Sequence, residues 1–386
     1  MTTTAIVNVG AMVSGDVRRP LHRATGVLIE DGRIAAVGPD EAAVARAATV
    51  IDAQGMTLIP GLIDSHTHPA IGDFTPRLNT IGWIDSYLHG GVTSMVSTGE
   101  LHVPGRPRDP AGVKALAILA AKSFKNAPPS GVKVMGGTLV LEPGLKEADF
   151  AEVAAQGVKA VKFIQEITDR AEAIRFSKWA KAHGLKVLIH CGGTSLPDVP
   201  TTTAKTIMEI EPDVLAHLNG GPTSLSFDDI DLLIRQTPWV IDLVRFGNPR
   251  AVLLMVKTIL EIDALERVVL GTDSPTGNGV EPLGILHLIT FLVSCSPLPA
   301  PEAVCMATGN TARVYGFDTG LIAPGRAADL ALIDAARGSY APGALEAFAL
   351  GDSPAVAMVM IDGEIVVAKS KMTVPTQRSY TMPRKG

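Results

Sequence analysis

Cysteine is scarce in this sequence: three residues, Cys191, Cys295 and Cys305, are spread over a chain of 386. Such wide spacing does not predict a disulfide framework, and no CxxC pair signals a structural zinc site. A chain with this cysteine usage is typical of a reducing compartment. We therefore expect a cytoplasmic protein.

Long hydrophobic runs and an excess of one charge are also missing. The longest apolar stretch, about residues 282–295, is too short to span a bilayer and contains His287. The N-terminus carries no positive charge ahead of its first apolar residues, so no secretory leader is predicted. The formal net charge of −5 gives no electrostatic reason to expect binding to nucleic acid or to an anionic membrane. A small-molecule ligand fits this composition better.

Both ends of the chain have the pattern of short β-strands. Apolar bursts occur at residues 5–9, 26–30 and 33–38, and the pattern returns at residues 328–334, 356–361 and 364–367. Asp31-Gly32 and Asp362-Gly363 predict tight hairpin turns, since glycine tolerates positive φ. Neither end is large enough to bury its apolar face alone. We predict one composite β-sandwich domain built from residues 1–58 and 320–386.

The middle of the chain alternates between buried strand candidates and segments of helical composition. An α/β protein with a (β/α)8 barrel over residues 59–319 is therefore predicted, because strand–helix units recur about every 28 residues. One strand precedes His66, and the other candidates are residues 92–96, 132–135, 159–164, 186–190, 213–217, 239–243 and 267–273.

Polar side chains fall at the ends of several of these strands. His66 and His68 follow an apolar run one residue apart, and a β-strand projects residues i and i+2 to the same side. Parallel barrel strands end at one face, so these side chains are expected to converge there. Taken singly, a strand-end histidine is more often structural, and a lysine or aspartate more often solvated or in a turn. Their regular spacing favours a metal site instead. The other predicted members are Lys162, His190, His217 and Asp273.

These motifs resemble the amidohydrolase superfamily of metal-dependent hydrolases. The resemblance rests on residues 60–68, on the strand-end residues, on residues 307–312 and on the closing segment 320–330. A narrower likeness, to members that open cyclic amides, rests on the segments 104–107, 190–195, 218–223 and 281–286.

The resemblance implies two divalent ions, most simply Zn²⁺ with Fe²⁺ as the alternative, since imidazole-rich sites suit both. His66, His68 and Asp273 would bind one ion, and His190 and His217 the other. Lys162 would bridge them as a CO2-derived carbamate, because a plain ammonium cannot ligate a cation. The cyclic-amide-opening members have an acidic residue next to this position, where this chain has Phe163. Either the carbamate replaces that carboxylate, or the site holds one ion.

The resemblance also implies roles in catalysis and substrate binding. Asp273 would accept a proton during attack and return it to the leaving nitrogen. Residues in the loops at the barrel mouth are candidates to contact a small polar substrate, although Arg106 is at least as typical of a solvated loop charge. The candidates are Thr194, Asn219, Gly220, Arg245 and Arg106.

The function predicted from these features is hydrolysis of a C–N bond in a small cyclic amide. Three alternatives remain. A mononuclear deaminase would not need Lys162, a different binuclear hydrolase would act on peptide-like or ester bonds, and a scaffold of the same fold would have no activity. We also expect a homo-oligomer, as is common for soluble enzymes of this size.

Overall fold

The structure, a computed structural model, describes residues 2–69, 76–99, 106–126, 128–164, 169–193, 202–221, 223–275 and 279–383. It confirms the mixed α/β class. The strands are β1 (Thr3–Val7), β2 (Ala11–Val13), β3 (Leu21–His22), β4 (Val27–Glu30), β5 (Arg33–Val37), β6 (Thr49–Asp52), β7 (Thr57–Pro60), β8 (Leu62–Thr67), β9 (Val92–Ser97), β10 (Lys133–Met135), β11 (Leu139–Val140), β12 (Ala160–Phe163), β13 (Lys186–His190), β14 (Val214–Ala216), β15 (Val240–Val244), β16 (Val268–Gly271), β17 (Leu330–Asp334), β18 (Ala355–Ile361) and β19 (Glu364–Val367).

Helices separate most of the central strands. Short 3₁₀ segments occupy Pro129–Gly131 and Leu265–Arg267, and a π-helical turn occupies Met306–Asn310. The α-helices are α1 (Glu41–Arg46), α2 (Pro76–Leu88), α3 (Pro110–Asn126), α4 (Glu147–Ala155), α5 (Arg170–Ala182), α6 (Ala204–Ile210), α7 (Phe227–Gln236), α8 (Pro249–Glu261), α9 (Gly284–Cys295), α10 (Ala300–Cys305), α11 (Thr311–Tyr315) and α12 (Ala344–Leu350). Among these described helices, none combines the length and hydropathy needed to cross a bilayer.

The central strands form two parallel sheets, ordered β10-β9-β8 and β11-β12-β13-β14-β15-β16. Beyond β16, the Asp273 amide donates to the His66 carbonyl and the His68 amide donates to the Ser274 carbonyl, each at 2.8 Å. These bonds link the segment after the last central strand to the first one. The arrangement is consistent with a (β/α)8 barrel in which β10 and β11 together occupy one strand position.

Two predicted strands end earlier than expected. The predictions 213–217 and 267–273 placed His217 and Asp273 inside strands, whereas β14 ends at Ala216 and β16 ends at Gly271. The reason is backbone conformation: φ is 39° at His217 and 64° at Asp273, in the left-handed region that strands do not use. Both residues therefore lie in the turns that follow their strands.

The chain termini form two further sheets, ordered β5-β4-β1-β6 and β19-β18-β17-β7-β2-β3. The second sheet joins both ends of the chain, because β7 pairs antiparallel with β17, with Leu58 opposite Leu332. One buried cluster contains apolar side chains from both sheets: Ile6, Val27, Ile29, Ile34 and Ile51 with Met12, Leu58, Leu330, Leu332, Met358 and Met360. Burial of that shared apolar surface stabilises the two sheets together.

A single residue separates the terminal sheet from the central strands. β7 ends at Pro60 and β8 starts at Leu62, so only Gly61 lies between them. A Cβ at Gly61 would lie 2.2 Å from Thr93 Oγ1 on β9, which leaves room only for glycine. The strand that carries His66 therefore continues directly out of the terminal sheet.

Candidate metal centre

β8 presents two histidine rings to the same side. The ring centroids of His66 and His68 are 5.4 Å apart, and both residues are buried. Nδ1 of His66 lies 2.5 Å from Asp242 Oδ2, and Nδ1 of His68 lies 2.8 Å from the Gly99 carbonyl. Because both partners are acceptors, each Nδ1 carries the hydrogen. The lone pair of each histidine is therefore on Nε2.

Asp273 lies opposite these two Nε2 atoms. Its Oδ1 is 3.1 Å from His68 Nε2 and 3.6 Å from His66 Nε2. Burial would raise the pKa of Asp273, but the neighbouring His66 and His68 and the cation of Lys162 hold it below its usual value. One ligand atom from each of the three residues lies within 4.8 Å of the others. This set of two imidazole nitrogens and one carboxylate oxygen suits a divalent ion such as Zn²⁺.

Lys162 on β12 is fully buried beside this cluster. Its Nζ is 3.3 Å from His66 Nε2, and it forms no ion pair with any residue that the structure describes. Burial lowers its pKa from the ordinary value to about 8. The nearby carboxylates of Asp273 and Asp242 favour the ammonium, but they offset only part of the cost of burying its charge. The lowered pKa increases the fraction of the neutral amine, the form that reacts with CO2.

His190 and His217 complete the group. Their ring centroids are 4.4 Å apart, and the His217 ring is 4.9 Å from that of His66. His190 Nε2 donates to the Gly193 carbonyl at 3.1 Å, which leaves Nδ1 as its acceptor. Nδ1 of His217 is buried and has no hydrogen-bond partner among the described residues. Burial lowers the pKa of both rings, to about 4 for His190. Both are neutral near pH 7 and able to bind a metal.

Two buried carboxylates that the sequence analysis did not identify support these ligands. Asp242 on β15 accepts the hydrogen bond of His66 Nδ1 described above. Asp64 accepts from the Thr272 hydroxyl at 2.6 Å and from the His66 amide at 3.1 Å, and burial raises its pKa to about 7. An aspartate within an otherwise apolar strand was the available signal for Asp242, because a buried carboxylate needs specific partners.

The predicted substrate residues differ in their surroundings. Thr194 lies outside the described residues. The Asn219 side chain donates to the Val244 carbonyl at 2.8 Å and accepts from the Val244 amide at 2.9 Å, so its amide binds backbone. Gly220 has φ of 76°, and a Cβ there would lie 2.4 Å from the Thr223 carbonyl oxygen. Both residues shape the loop after β14.

The two predicted arginines are each paired with a glutamate. Arg245 Nε is 3.3 Å from Glu281 Oε2, and the side chain is partly exposed. Arg106 Nη1 is 2.6 Å from Glu142 Oε1, and both side chains are buried. Their ion pairs hold the guanidinium groups in place. A role toward substrate stays a prediction for all five of these residues.

Gly271→Ala is expected to disrupt the metal centre by displacing the backbone of β8. A Cβ at Gly271 would lie 2.5 Å from His66 Cβ and 2.8 Å from the His66 amide nitrogen, so β8 must shift. We expect a loss of about 1–3 kcal/mol in the free energy of unfolding and weaker metal binding. Thermal unfolding and metal content measure the two effects. Gly221→Ala is the matched control, because a Cβ there meets nothing within 4 Å; equal behaviour of the two variants would contradict the prediction.

Comparison with known proteins identifies the family of this chain. The Amidohydrolase family profile matches residues 57–366. The chain is 46% identical over 382 residues to the enamidase of Eubacterium barkeri, covering 98% of this chain and 99% of that protein. A crystal structure of enamidase aligns with a TM-score of 0.94 and 45% identity, covering 99% of this chain and 100% of that one. The narrower resemblance seen in the sequence is thereby confirmed.

More distant relatives share less sequence identity with this chain. The adenine deaminase of Ruegeria sp. (strain TM1040) is 26% identical over 315 residues, which covers 79% of this chain but only 50% of the deaminase. A β-aspartyl dipeptidase from Fervidobacterium islandicum AW-1 aligns with a TM-score of 0.66 at 20% identity over 97% of this chain and 98% of that one, a likeness of fold alone.

The matched profile covers the segment that carries all six predicted metal-site residues. Family membership and the His66, His68 and Asp273 cluster together imply divalent metal ions as cofactors. The chain belongs to the amidohydrolase family and is an enzyme that hydrolyses carbon–nitrogen bonds.

Proposed function

We propose that this protein opens the ring of a small cyclic amide by hydrolysis, as the name enamidase indicates for its relative. The observation that carries the proposal is the 46% identity to enamidase over nearly the whole of both chains. The buried cluster of His66, His68 and Asp273 supports it, because this donor set suits a divalent ion that acts in hydrolysis. Cyclic enamides are the first substrate class to test.

For the cofactors, we assign His66, His68 and Asp273 to one ion and His190 and His217 to a second. Lys162 would bridge the two as a carbamate, and its burial beside His66 supports this role. Zn²⁺ is the first choice and Fe²⁺ the alternative, since three or more imidazoles favour either metal. When bound, such ions lower the pKa of a water molecule and polarise the substrate carbonyl.

The protein side chains would carry the proton. Asp273 accepts it on a carboxylate oxygen as the carbonyl carbon is attacked, and donates it to the ring nitrogen as the C–N bond breaks. Its lowered pKa keeps it ionised before the attack. Arg106, Arg245, Asn219, Gly220 and Thr194 would line the substrate loops. His66 and His68 stay fixed by their Nδ1 hydrogen bonds during the reaction.

For the architecture, we propose a closed (β/α)8 barrel over residues 59–319 and a β-sandwich domain from residues 1–58 and 320–386. The shared apolar cluster of the two terminal sheets supports the sandwich. We further propose that the protein works in the cytoplasm as a homo-oligomer, with a small-molecule substrate and without nucleic acid or membrane as a partner.

A mononuclear deaminase is the second candidate. One observation favours it: the described ligand atoms that lie within 4.8 Å of one another come from His66, His68 and Asp273 alone, which is enough for a single ion. Such an enzyme would release ammonia from an amino-substituted ring and would not depend on Lys162.

The test combines substrate screening with metal removal. Purified protein is incubated with a panel of five- and six-membered lactams and cyclic enamides, and ring opening is followed by mass spectrometry as the gain of one water. We expect activity on cyclic amides that is lost after dialysis against a chelator and restored by Zn²⁺. Adenine and an acyclic amide serve as comparison substrates. Ammonia release from adenine without any lactam hydrolysis would contradict the proposal and support the deaminase.

A further inference from the structure

Asp242 receives hydrogen bonds from three residues that lie at or beside the proposed metal ligands. Its Oδ2 accepts from His66 Nδ1 at 2.5 Å and from the His217 backbone amide at 3.0 Å. Its Oδ1 accepts from the Ser65 hydroxyl at 2.7 Å. One carboxylate oxygen thus contacts two histidines that we assign to different ions.

The surroundings of Asp242 stabilise its negative charge only in part. The side chain is 1% exposed, and it forms no ion pair with a lysine or arginine among the residues that the structure describes. Its neighbours on β15, Ile241 and Leu243, are fully buried apolar residues. Burial disfavours the charged carboxylate, and its three hydrogen bonds and the charge of Lys162 offset only part of that cost. Positive charge at the proposed metal centre would offset more of it.

The two bonds to Oδ2 act on the histidines in different ways. The bond from Nδ1 sets the tautomer and the ring orientation of His66, and an anionic acceptor makes Nε2 a stronger metal donor. The bond from the amide holds the backbone of His217, where φ is 39°. A non-glycine residue in this region is strained and persists only where its surroundings hold it. The turn it holds places the His217 ring against that of His190.

We propose that Asp242 is a positioning residue that holds one ligand of each metal ion, and so couples the binding of the two ions. This inference rests on the two-ion assignment in the proposed function. Loss of the negative charge at Asp242 is expected to weaken both ions together, because the ring of His66 and the turn at His217 share the same oxygen.

The test is metal binding to Asp242→Asn. Asparagine is nearly isosteric and keeps one oxygen to accept from His66 and His217, while the charge is lost. The apoprotein is titrated with Co²⁺ in the presence of bicarbonate and a competing chromophoric chelator, and the cobalt absorption spectrum is recorded. We expect two ions in wild type, and a fall of about 10–100-fold in the affinity of both in the variant, with both spectral components shifted.

Ser65→Ala is the matched control, since it removes the donor to Oδ1 and leaves both bonds to Oδ2 in place. It is expected to keep both affinities close to those of wild type. Thermal unfolding of the apoproteins separates positioning from stability, because removing a buried charge does not destabilise the metal-free fold. Weakening of one ion only, or unchanged affinities with a less stable apoprotein, overturns the coupling while leaving the proposed function intact. A single ion in wild type overturns the two-ion assignment and the coupling together.

Discussion

Lys162→Ala is expected to reduce the metal content from about two ions to about one per chain and to lower kcat/KM by about 10³-fold or more. The side chain lies in the interior beside His66, with no carboxylate partner among the described residues. Alanine cannot form a carbamate, so the proposed bridge is lost. The measurement is metal content by mass spectrometry on protein purified with bicarbonate and zinc, together with kinetics on the cyclic amide found by screening.

Two further variants at this position distinguish a role of Lys162 as a bridge between the ions from a role in packing alone. Lys162→Glu restores a carboxylate on a shorter side chain and is expected to recover part of the second ion. Lys162→Arg retains a long cationic side chain that cannot become a carbamate, so it should behave like alanine. One ion and unchanged activity in all variants would contradict the bridge and favour a mononuclear site.

Asp273→Asn is expected to lower kcat by about 10²–10⁴-fold, the range in which a positioned acid–base group contributes. Asparagine keeps an oxygen near His68 Nε2 but cannot accept and return a proton at neutral pH. The change is measured as kcat and KM on the same cyclic amide, with metal content determined on the same sample. Asp273 is proposed both as ligand and as proton carrier, so the two roles must be separated.

A cyclic amide with a less basic ring nitrogen separates them. Such a leaving group needs less proton donation. The variant should therefore lose less activity on this substrate than on the cyclic amide found by screening. An equal loss on both substrates, accompanied by loss of metal, would show that Asp273 acts only as a ligand.

The local features were predictable from the sequence. Mainly apolar runs of four to seven residues predicted the central strands, because strands buried on both faces have nearly continuous apolar sequence. His66 and His68 could be placed on one side from their spacing alone. The ends of β14 and β16 were missed, since the left-handed φ of His217 and Asp273 arises from contacts of the folded chain and these residue types do not require it.

The supporting residues could not be predicted, because their partners are distant in sequence. Asp64 bonds Thr272, which is 208 residues further along, and Asp242 bonds His66, 176 residues before it. No periodicity links such positions. Similarly, the sequence predicted Arg106 as a solvated charge or a substrate ligand at the mouth, but its ion pair with Glu142 depends on the segment after β11 lying beside Arg106 in space.

The direct passage from β7 to β8 through Gly61 has a consequence for the order of folding. β7 pairs on one side with β2, which is synthesised before it, but on the other side with β17, whose residues Leu330–Asp334 are synthesised about 270 residues later. Contacts of such long range form late. The strand that carries His66 therefore gains its support from β17 only after about 270 further residues have been synthesised.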